Sequence, residues 1–288
     1  MIKFYIPNFC EPGFADVNFG LVNLLKEHPE YFYDNITIGA IYGTFPGNIW
    51  NGGRVMYGDD AGLHYIINLI YNYHRLGVPL RFTYTNLLID EQAQLDDTFA
   101  NCVTALAHNK GNEILVANDY LEQYLREVYP HYKYISSTTK CLLDKDEIIA
   151  ESEKYYMTVL DYRKNRDMEF LSNLPHPERF EILINAWCVP DCPRRKEHYE
   201  ALSRQQLYGI PAFDCPSLDG ANFFTSLDKP HVLTPEEIYN EYVPLGFENF
   251  KIEGRTYHIL DVIESYVYYM AKPEFKDKIR LELIKILS

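Results

Sequence analysis

Short runs of β-branched and aromatic residues recur along the chain and predict eight β-strands. Each run is almost continuously apolar, which is typical of parallel strands buried on both faces. The runs are KFYIP, ITIGAIY, LRFTYT, EILVAN, YKYISS, YMTVLD, FEILIN and ENFKIE, at 3–7, 36–42, 80–85, 113–118, 132–137, 156–161, 180–185 and 248–253.

Amphipathic segments with apolar residues at three- and four-residue spacing lie between these runs, for example DVNFGLVNLLKEH and GLHYIINLIYNYHRLG. Eight alternating strand–helix units predict a (β/α)8 TIM-type barrel, in which residues 1–288 form a single domain. An open, doubly wound sheet is the less economical alternative. Two connections exceed the usual length of about two to six residues, after the second strand at 43–60 and after the seventh at 186–234.

Polar residues follow most of the predicted strands, where the active face of such a barrel lies. We expect these side chains to converge on a polar pocket. The same residue types are natural helix N-caps, and capping is the alternative for any one of them. The residues are Asn8, Thr85 with Asn86, Asn118 with Asp119, Ser136 to Thr139, Asp161, Asn185, and Glu253 with Arg255.

Charge and composition limit the partners and the compartment. The 288 residues include 41 acidic and 27 basic side chains, a net charge of −14, which argues against a nucleic-acid partner but permits a local pocket for a small anion. The N-terminus lacks the features of a signal peptide, and no long apolar stretch predicts a membrane span. We therefore expect a cytoplasmic protein, whose six cysteines are thiols or metal ligands rather than disulfides.

Three cysteines in the long loop after the seventh strand are candidate metal ligands. Cys188 and Cys192 are spaced CxxxC, and Cys215 follows. Thiolates gathered in a small volume bind zinc or an iron–sulfur cluster, so we predict a 4Fe–4S cluster with Cys10 as the fourth ligand, and zinc as the alternative. Cys141 is the rival for the fourth position. The spacing matches no paired zinc ribbon or ferredoxin run, and unligated structural thiols remain the other interpretation.

Two nearby segments contain candidate anion-binding residues. Arg194 and His198, beside Arg195, could bind a carboxylate or phosphate and move a proton; the alternative is a solvated start of the helix RRKEHYEALSRQQL. After the second strand, the glycines of FPGNIWNGGRVMYGDD could expose backbone N–H groups to an anion beside Arg54. That segment is equally consistent with a structural turn.

The eighth strand and its helix, FKIEGRTYHILDVIESYVYYM, place Glu253 and Arg255 on either side of a glycine. Glu253 is a candidate general base and Arg255 a candidate substrate anchor at the barrel mouth. A structural ion pair that closes the barrel between its last and first strands is the alternative.

These segments resemble a known family. FKIEGR before a Tyr-rich helix resembles the C-terminal motif of the peptidase U32 family, and Asn-x-x-Cys with CPxRxxHY at 185–199 is similar to divergent bacterial members. The resemblance implies a (β/α)8 barrel. The family name records protease activity, and relatives hold a four-cysteine iron–sulfur cluster in oxygen-independent hydroxylation of ubiquinone precursors or RNA bases. The usual Gly-x-x-Cys and Ser-Gly-Arg-Cys elements are absent here, and CVPDCPRRKEHY stands in the comparable region.

Three functions are consistent with the sequence. The leading one is redox or oxygen-independent hydroxylation at a cysteine-bound iron–sulfur cluster, on a small-molecule or peptide-linked substrate held by Arg194, Arg255 and the polar ring that includes Asn86 and Asn185. The second is a U32-type peptidase or zinc hydrolase, although no HExxH or GxSxG motif is present. The third is a non-catalytic binding or assembly subunit, whose tyrosine-rich surface contacts a protein partner or a second copy of the chain.

Overall fold

The computed structural model describes residues 1–53, 62–210, 213–215, 222–254 and 258–287. Two of the candidate residues, Arg54 and Arg255, lie outside these ranges.

Eight parallel strands form a closed barrel in the order in which they occur in the chain, and β8 pairs with β1. The predicted (β/α)8 fold is confirmed. The first and last residues of each strand lie within two residues of the predicted ones. The strands are β1 Ile2–Pro7, β2 Ile36–Gly43, β3 Leu80–Tyr84, β4 Glu113–Val116, β5 Lys133–Ser136, β6 Met157–Val159, β7 Phe180–Leu183 and β8 Asn249–Lys251.

Helices surround the barrel and connect successive strands. The long connection after β7 contains a helix of its own, α8, so it is not an open loop. The described helices are α1 Pro12–Glu27, α2 Leu63–Leu76, α3 Gln92–Leu95, α4 Thr98–Ala107, α5 Asp119–Val128, α6 Lys145–Lys154, α7 Met168–Ser172, α8 Arg195–Tyr208, α9 Phe223–Leu227, α10 Pro235–Glu237, α11 Ile259–Met270 and α12 Lys276–Lys285. Among the residues described, no helix is both long and apolar enough to cross a membrane.

Alternation along the strands separates an outer face from an inner one. On β1, Phe4 and Ile6 are fully buried in the main core between sheet and helices. Tyr5 points the other way and belongs to a smaller cluster inside the barrel, with Leu115 and Met157. The main core therefore lies between the sheet and the helices.

The inner face is not uniformly apolar, contrary to the expectation of almost continuous apolar strands. Arg81, Glu113, Glu181 and Lys251 are all buried on β3, β4, β7 and β8. Register places Arg81 opposite Glu113 and aligns Glu181 with Asn249. Four charges of balanced sign thus share the inside of the barrel, where a single unpaired charge would be costly.

Candidate functional site

A cavity of about 100 Å³ lies at the carboxyl ends of the strands. Polar residues from several strand ends line it, so the predicted convergence of these side chains is confirmed for Asn8, Thr85, Ser137 to Thr139 and Glu253. Apolar contacts come from Pro7, Leu115 and Leu183. The position agrees with the active face of a (β/α)8 barrel.

Other residues of the predicted polar ring cap helices instead. The Asn118 side chain accepts a hydrogen bond from Leu121 N at 2.9 Å, at the start of α5. Asp161 accepts from Arg163 N at 3.0 Å and caps a short 3₁₀ helix. The capping alternative therefore holds at these two positions.

Lys251 forms part of the cavity wall, and sequence reasoning did not single it out. Its side chain is only 7% exposed, and its Nζ lies 3.9 Å from Glu181 Oε1 and 4.0 Å from the centre of the Tyr42 ring. The Tyr42 hydroxyl donates to Ile252 O at 2.6 Å, which fixes the ring beneath the ammonium group. A cation is thereby held at the cavity on a rigid strand.

A charged network continues from Lys251 into the barrel. Arg81 donates from Nε to Glu113 Oε2 at 2.7 Å and from NH1 to Glu181 Oε2 at 2.5 Å. Its guanidinium also lies 4.0 Å from the centre of the Tyr5 ring. Burial raises the pKa of Glu113, although Arg81 beside it acts in the opposite direction. Glu181 connects this network to the cavity because its other oxygen faces Lys251.

Glu253 lines the cavity two residues beyond Lys251 and is 6% exposed. Its Oε2 accepts a hydrogen bond from Trp187 N at 3.0 Å. The backbone of Glu253 is held by Asn185, whose Oδ1 accepts from Glu253 N at 2.6 Å and whose Nδ2 donates to Glu253 O at 3.4 Å. Asn185 does not line the cavity. It instead holds the backbone of Glu253 in place. The next residue, Gly254, has no room for a Cβ, which would overlap the ring of Pro7.

Arg195, the first residue of α8, is buried directly behind the cavity. Its NH2 donates to Thr138 Oγ1 at 3.2 Å, and its Nε lies 3.3 Å from Asp161 Oδ2. Arg163 binds the same carboxylate through two contacts of 2.9 Å. Thr138 and Tyr199 separate Arg195 from the cavity, since both line it and both contact the guanidinium group.

The helical phase explains why the neighbouring Arg194 behaves differently. Arg195, Tyr199 and Ser203 are spaced by four residues and form the buried face of α8, whereas Arg194 precedes the helix. Arg194 is exposed, pairs with Glu197 at 2.7 Å and lies 4.0 Å from the centre of the Phe213 ring. The predicted alternative of a solvated helix start is therefore correct for Arg194 but not for Arg195, which is buried.

His198 and Asn86, two further candidates, do not line the cavity. The His198 ring stacks on Phe213 with centroids 5.2 Å apart. Asn86 is fully buried, and its Nδ2 donates to three backbone oxygens, of Ile49, Asn51 and Ser203, at 2.9–3.2 Å. The neighbours Tyr199 and Thr85 reach the cavity instead.

The four cysteines of the predicted metal site lie in different surroundings. Cys10 lies in the main apolar core, and burial raises the pKa of its thiol to about 12. Cys188 Sγ lies 4.0 Å from NH1 of Arg195, so a fixed cation already occupies its surroundings. Cys192 and Cys215 are partly buried near Arg194.

Within the described ranges, no three Cys, His, Asp or Glu side chains are placed to bind a metal ion. A thiolate-bound cluster needs its ligands gathered around one point. The four predicted cysteines therefore do not fit a 4Fe–4S cluster or a zinc ion as they are arranged here.

Fold and cavity together define a (β/α)8-barrel protein with a small cavity, lined by both polar and apolar residues, at its C-terminal face. The fold is similar to that of a solved structure, the U32 peptidase Mk0906, with a TM-score of 0.53 and 13% sequence identity over 89% of this chain and 94% of the other. The resemblance to U32 proteins is thus confirmed at the level of the fold. No protein-family model and no curated protein matches the sequence.

Proposed function

We propose that the protein is an enzyme that carries out proton-transfer chemistry on a small polar substrate, or on the end of a peptide, within the cavity at the barrel mouth. The observation that carries the proposal is the presence of Lys251 and Glu253 on the wall of one cavity. A positioned carboxylate beside a fixed cation is a common arrangement for binding a polar group and moving a proton.

Rigid positioning supports the proposal. Lys251 and Glu253 are two residues apart at the end of β8, so their Cα atoms are separated by about 7 Å. The Trp187 N–H holds one oxygen of Glu253, and Tyr42 supports Lys251. Catalytic groups on strands are more precisely placed than groups on loops.

The size of the cavity limits the substrate. Its volume is about 100 Å³, several times the roughly 10–15 Å³ of such space that one water molecule needs. A small molecule, or one terminal group of a longer one, fits this space. A peptide end is supported by the similarity of the fold to that of the U32 peptidase.

The other predicted chemistries are less well supported by the described residues. Iron–sulfur hydroxylation and zinc hydrolysis both need grouped ligands, and within the described ranges no three possible ligands are placed to bind a metal ion. A non-catalytic assembly subunit would not need two buried charges on a cavity wall. Proton transfer in the cavity is therefore the preferred proposal.

The test combines a ligand screen with one substitution. Thermal unfolding with a panel of small hydroxy acids, keto acids, amino acids and short peptides identifies compounds that stabilise the wild type, and conversion of each is followed by mass spectrometry. We expect Glu253→Gln to bind such a compound but lose its turnover. The matched control is Glu248→Gln, at the other end of the same strand, where Glu248 pairs with Lys3 at 3.0 Å.

The control should keep both binding and turnover. Full turnover by Glu253→Gln, or the absence of any stabilising compound in the panel, would contradict the proposal.

A further inference from the structure

We infer that the cavity recognises a carboxylate group of its substrate through four donors, the Lys251 ammonium and the hydroxyl groups of Thr85, Ser137 and Thr138. The inference rests on the proposed function, since it names the substrate class of the same cavity. All four residues line the cavity.

Two of the hydroxyl groups accept hydrogen bonds from protein donors. Ser137 Oγ accepts from Thr139 N at 3.1 Å and from Thr139 Oγ1 at 2.9 Å. Thr138 Oγ1 accepts from NH2 of Arg195 at 3.2 Å. A hydroxyl group has one proton to donate, and among the described residues neither proton has an acceptor. Both groups are left to act as donors to a ligand.

Thr85 supplies an independent observation. The residue is 1% exposed, and its Oγ1 has no hydrogen-bond partner among the described residues. An unsatisfied buried hydroxyl costs about 1–3 kcal/mol. Thr85 lies on the cavity wall, and a ligand oxygen that reached this hydroxyl group would remove the penalty.

Arg195 strengthens the donor set without touching the cavity. Its guanidinium is fully buried and donates to Thr138, so the hydroxyl of Thr138 is polarised toward the cavity. Arg195 is in this sense a positioning residue. Its position is fixed in turn by Asp161 at 3.3 Å and by the Tyr162 ring at 4.5 Å.

Lys251 favours an anionic group in the cavity, whereas Glu253 on the wall and Glu181, 3.9 Å from Lys251 Nζ, limit how much negative charge the cavity accepts. Lys251 is the ammonium group on the wall, and the other three donors are neutral. Glu253 on the same wall disfavours a dianion such as phosphate, and the volume of about 100 Å³ suits a compact planar group. The anion would lie between Lys251 and the hydroxyl groups, with Glu253 facing the rest of the substrate.

Calorimetric titration with acetate, lactate and pyruvate, with acetamide and lactamide as uncharged isosteres, and with inorganic phosphate tests the inference. We expect at least one carboxylate to bind, its amide to bind roughly tenfold more weakly or not at all, and phosphate not to compete. Thr85→Val should weaken carboxylate binding about fivefold while leaving the melting temperature unchanged or higher, because that hydroxyl has no protein partner.

Lys251→Met should abolish carboxylate binding. The control Lys3→Met removes a lysine at the opposite end of the barrel and should bind as the wild type does. Equal binding of carboxylates and amides, wild-type affinity in Thr85→Val, or binding of phosphate alone would overturn the inference. If neutral compounds bind and Glu253→Gln still blocks their turnover, the proposed function survives and only the carboxylate assignment fails.

Discussion

Arg81 on β3 donates to Glu181 on β7 across the inside of the barrel, with 2.5 Å between NH1 and Oε2 and both side chains fully buried. A second bond of 2.7 Å joins Arg81 to Glu113 on the adjacent strand. One guanidinium group therefore connects three strands. Removing one partner of such a pair strongly destabilises the fold, because it leaves an uncompensated buried charge.

We predict that Arg81→Met lowers the free energy of unfolding by about 3–5 kcal/mol, as measured by urea denaturation. Two carboxylates would remain inside the barrel without their cation, so the deficit should shrink as the pH is lowered and they become protonated. Arg194→Met is the control, since Arg194 forms an exposed pair, and its melting temperature should not change. A deficit in Arg81→Met that is independent of pH would contradict the electrostatic account.

We predict that the stability of the fold depends on pH through the buried side chain of His231. Its Nε2 lies 2.8 Å from Ala186 O, its Nδ1 has no partner among the described residues, and burial lowers its pKa below the ordinary value of 6.5. Because the unfolded state then binds the proton more readily, the stability from neutral His231 is complete above pH 6.5 and is lost as the pH falls through the lower folded pKa.

We expect the free energy of unfolding of the wild type to fall between about pH 7 and about pH 5 more steeply than that of His231→Gln, whose amide nitrogen can still donate to Ala186 O. Urea denaturation at a series of pH values measures both slopes. Parallel curves for the two proteins would show that another group is responsible.

Asn86 was predicted to contact substrate, but its hydrogen bonds indicate a structural role. Its Nδ2 bonds to Ile49 O, Asn51 O and Ser203 O, and the side chain is fully buried. We predict that Asn86→Ala costs about 1–3 kcal/mol of stability but leaves the affinity for cavity ligands unchanged at a temperature where the variant is folded. Asn173→Ala, which removes an exposed bond to Glu169 O, is the stability control. Loss of affinity without loss of stability would restore the predicted role.

The cysteines give a direct test of the iron–sulfur prediction. Because no three possible metal ligands are grouped among the described residues, we expect protein purified without oxygen to contain substoichiometric iron, sulfide and zinc, and Cys188→Ser with Cys192→Ser to leave these contents unchanged. Elemental analysis, sulfide determination and visible absorption provide the measurement. Stoichiometric iron and sulfide that disappear in the double variant would support a cluster and require the loop after β7 to rearrange.

The barrel could be predicted because its signal is repeated. Each strand is a short apolar run with a helix after it, and one misplaced boundary does not change the pattern. The inner charges were missed because they are isolated within apolar runs: Arg81 in LRFTY and Glu181 in FEIL each replace one inward residue of a strand. Strict alternation within the strands is the signal that would have placed them inside.

The site could be predicted only as a region. Strand-end position correctly brought Thr85, Ser137 and Glu253 together, because the topology alone determines which face they share. The choice between Arg194 and Arg195 depends on the phase of a helix whose first residue could not be known from the sequence. The cysteine grouping stays a prediction for a similar reason, since the distance between thiols depends on the path of a long loop.

The pairing of β1 with β8 has a consequence for how the chain folds. Lys3 on β1 bonds to Glu248 just before β8, across a sequence separation of 245 residues, and beyond the other end of β8 the position after Glu253 tolerates no side chain against Pro7. The sheet becomes continuous only when these two distant segments meet, and closing so long a loop has a large entropic cost. We therefore expect the seam between the first and last strands to form last, so that the cavity, which it borders, exists only in the fully folded molecule.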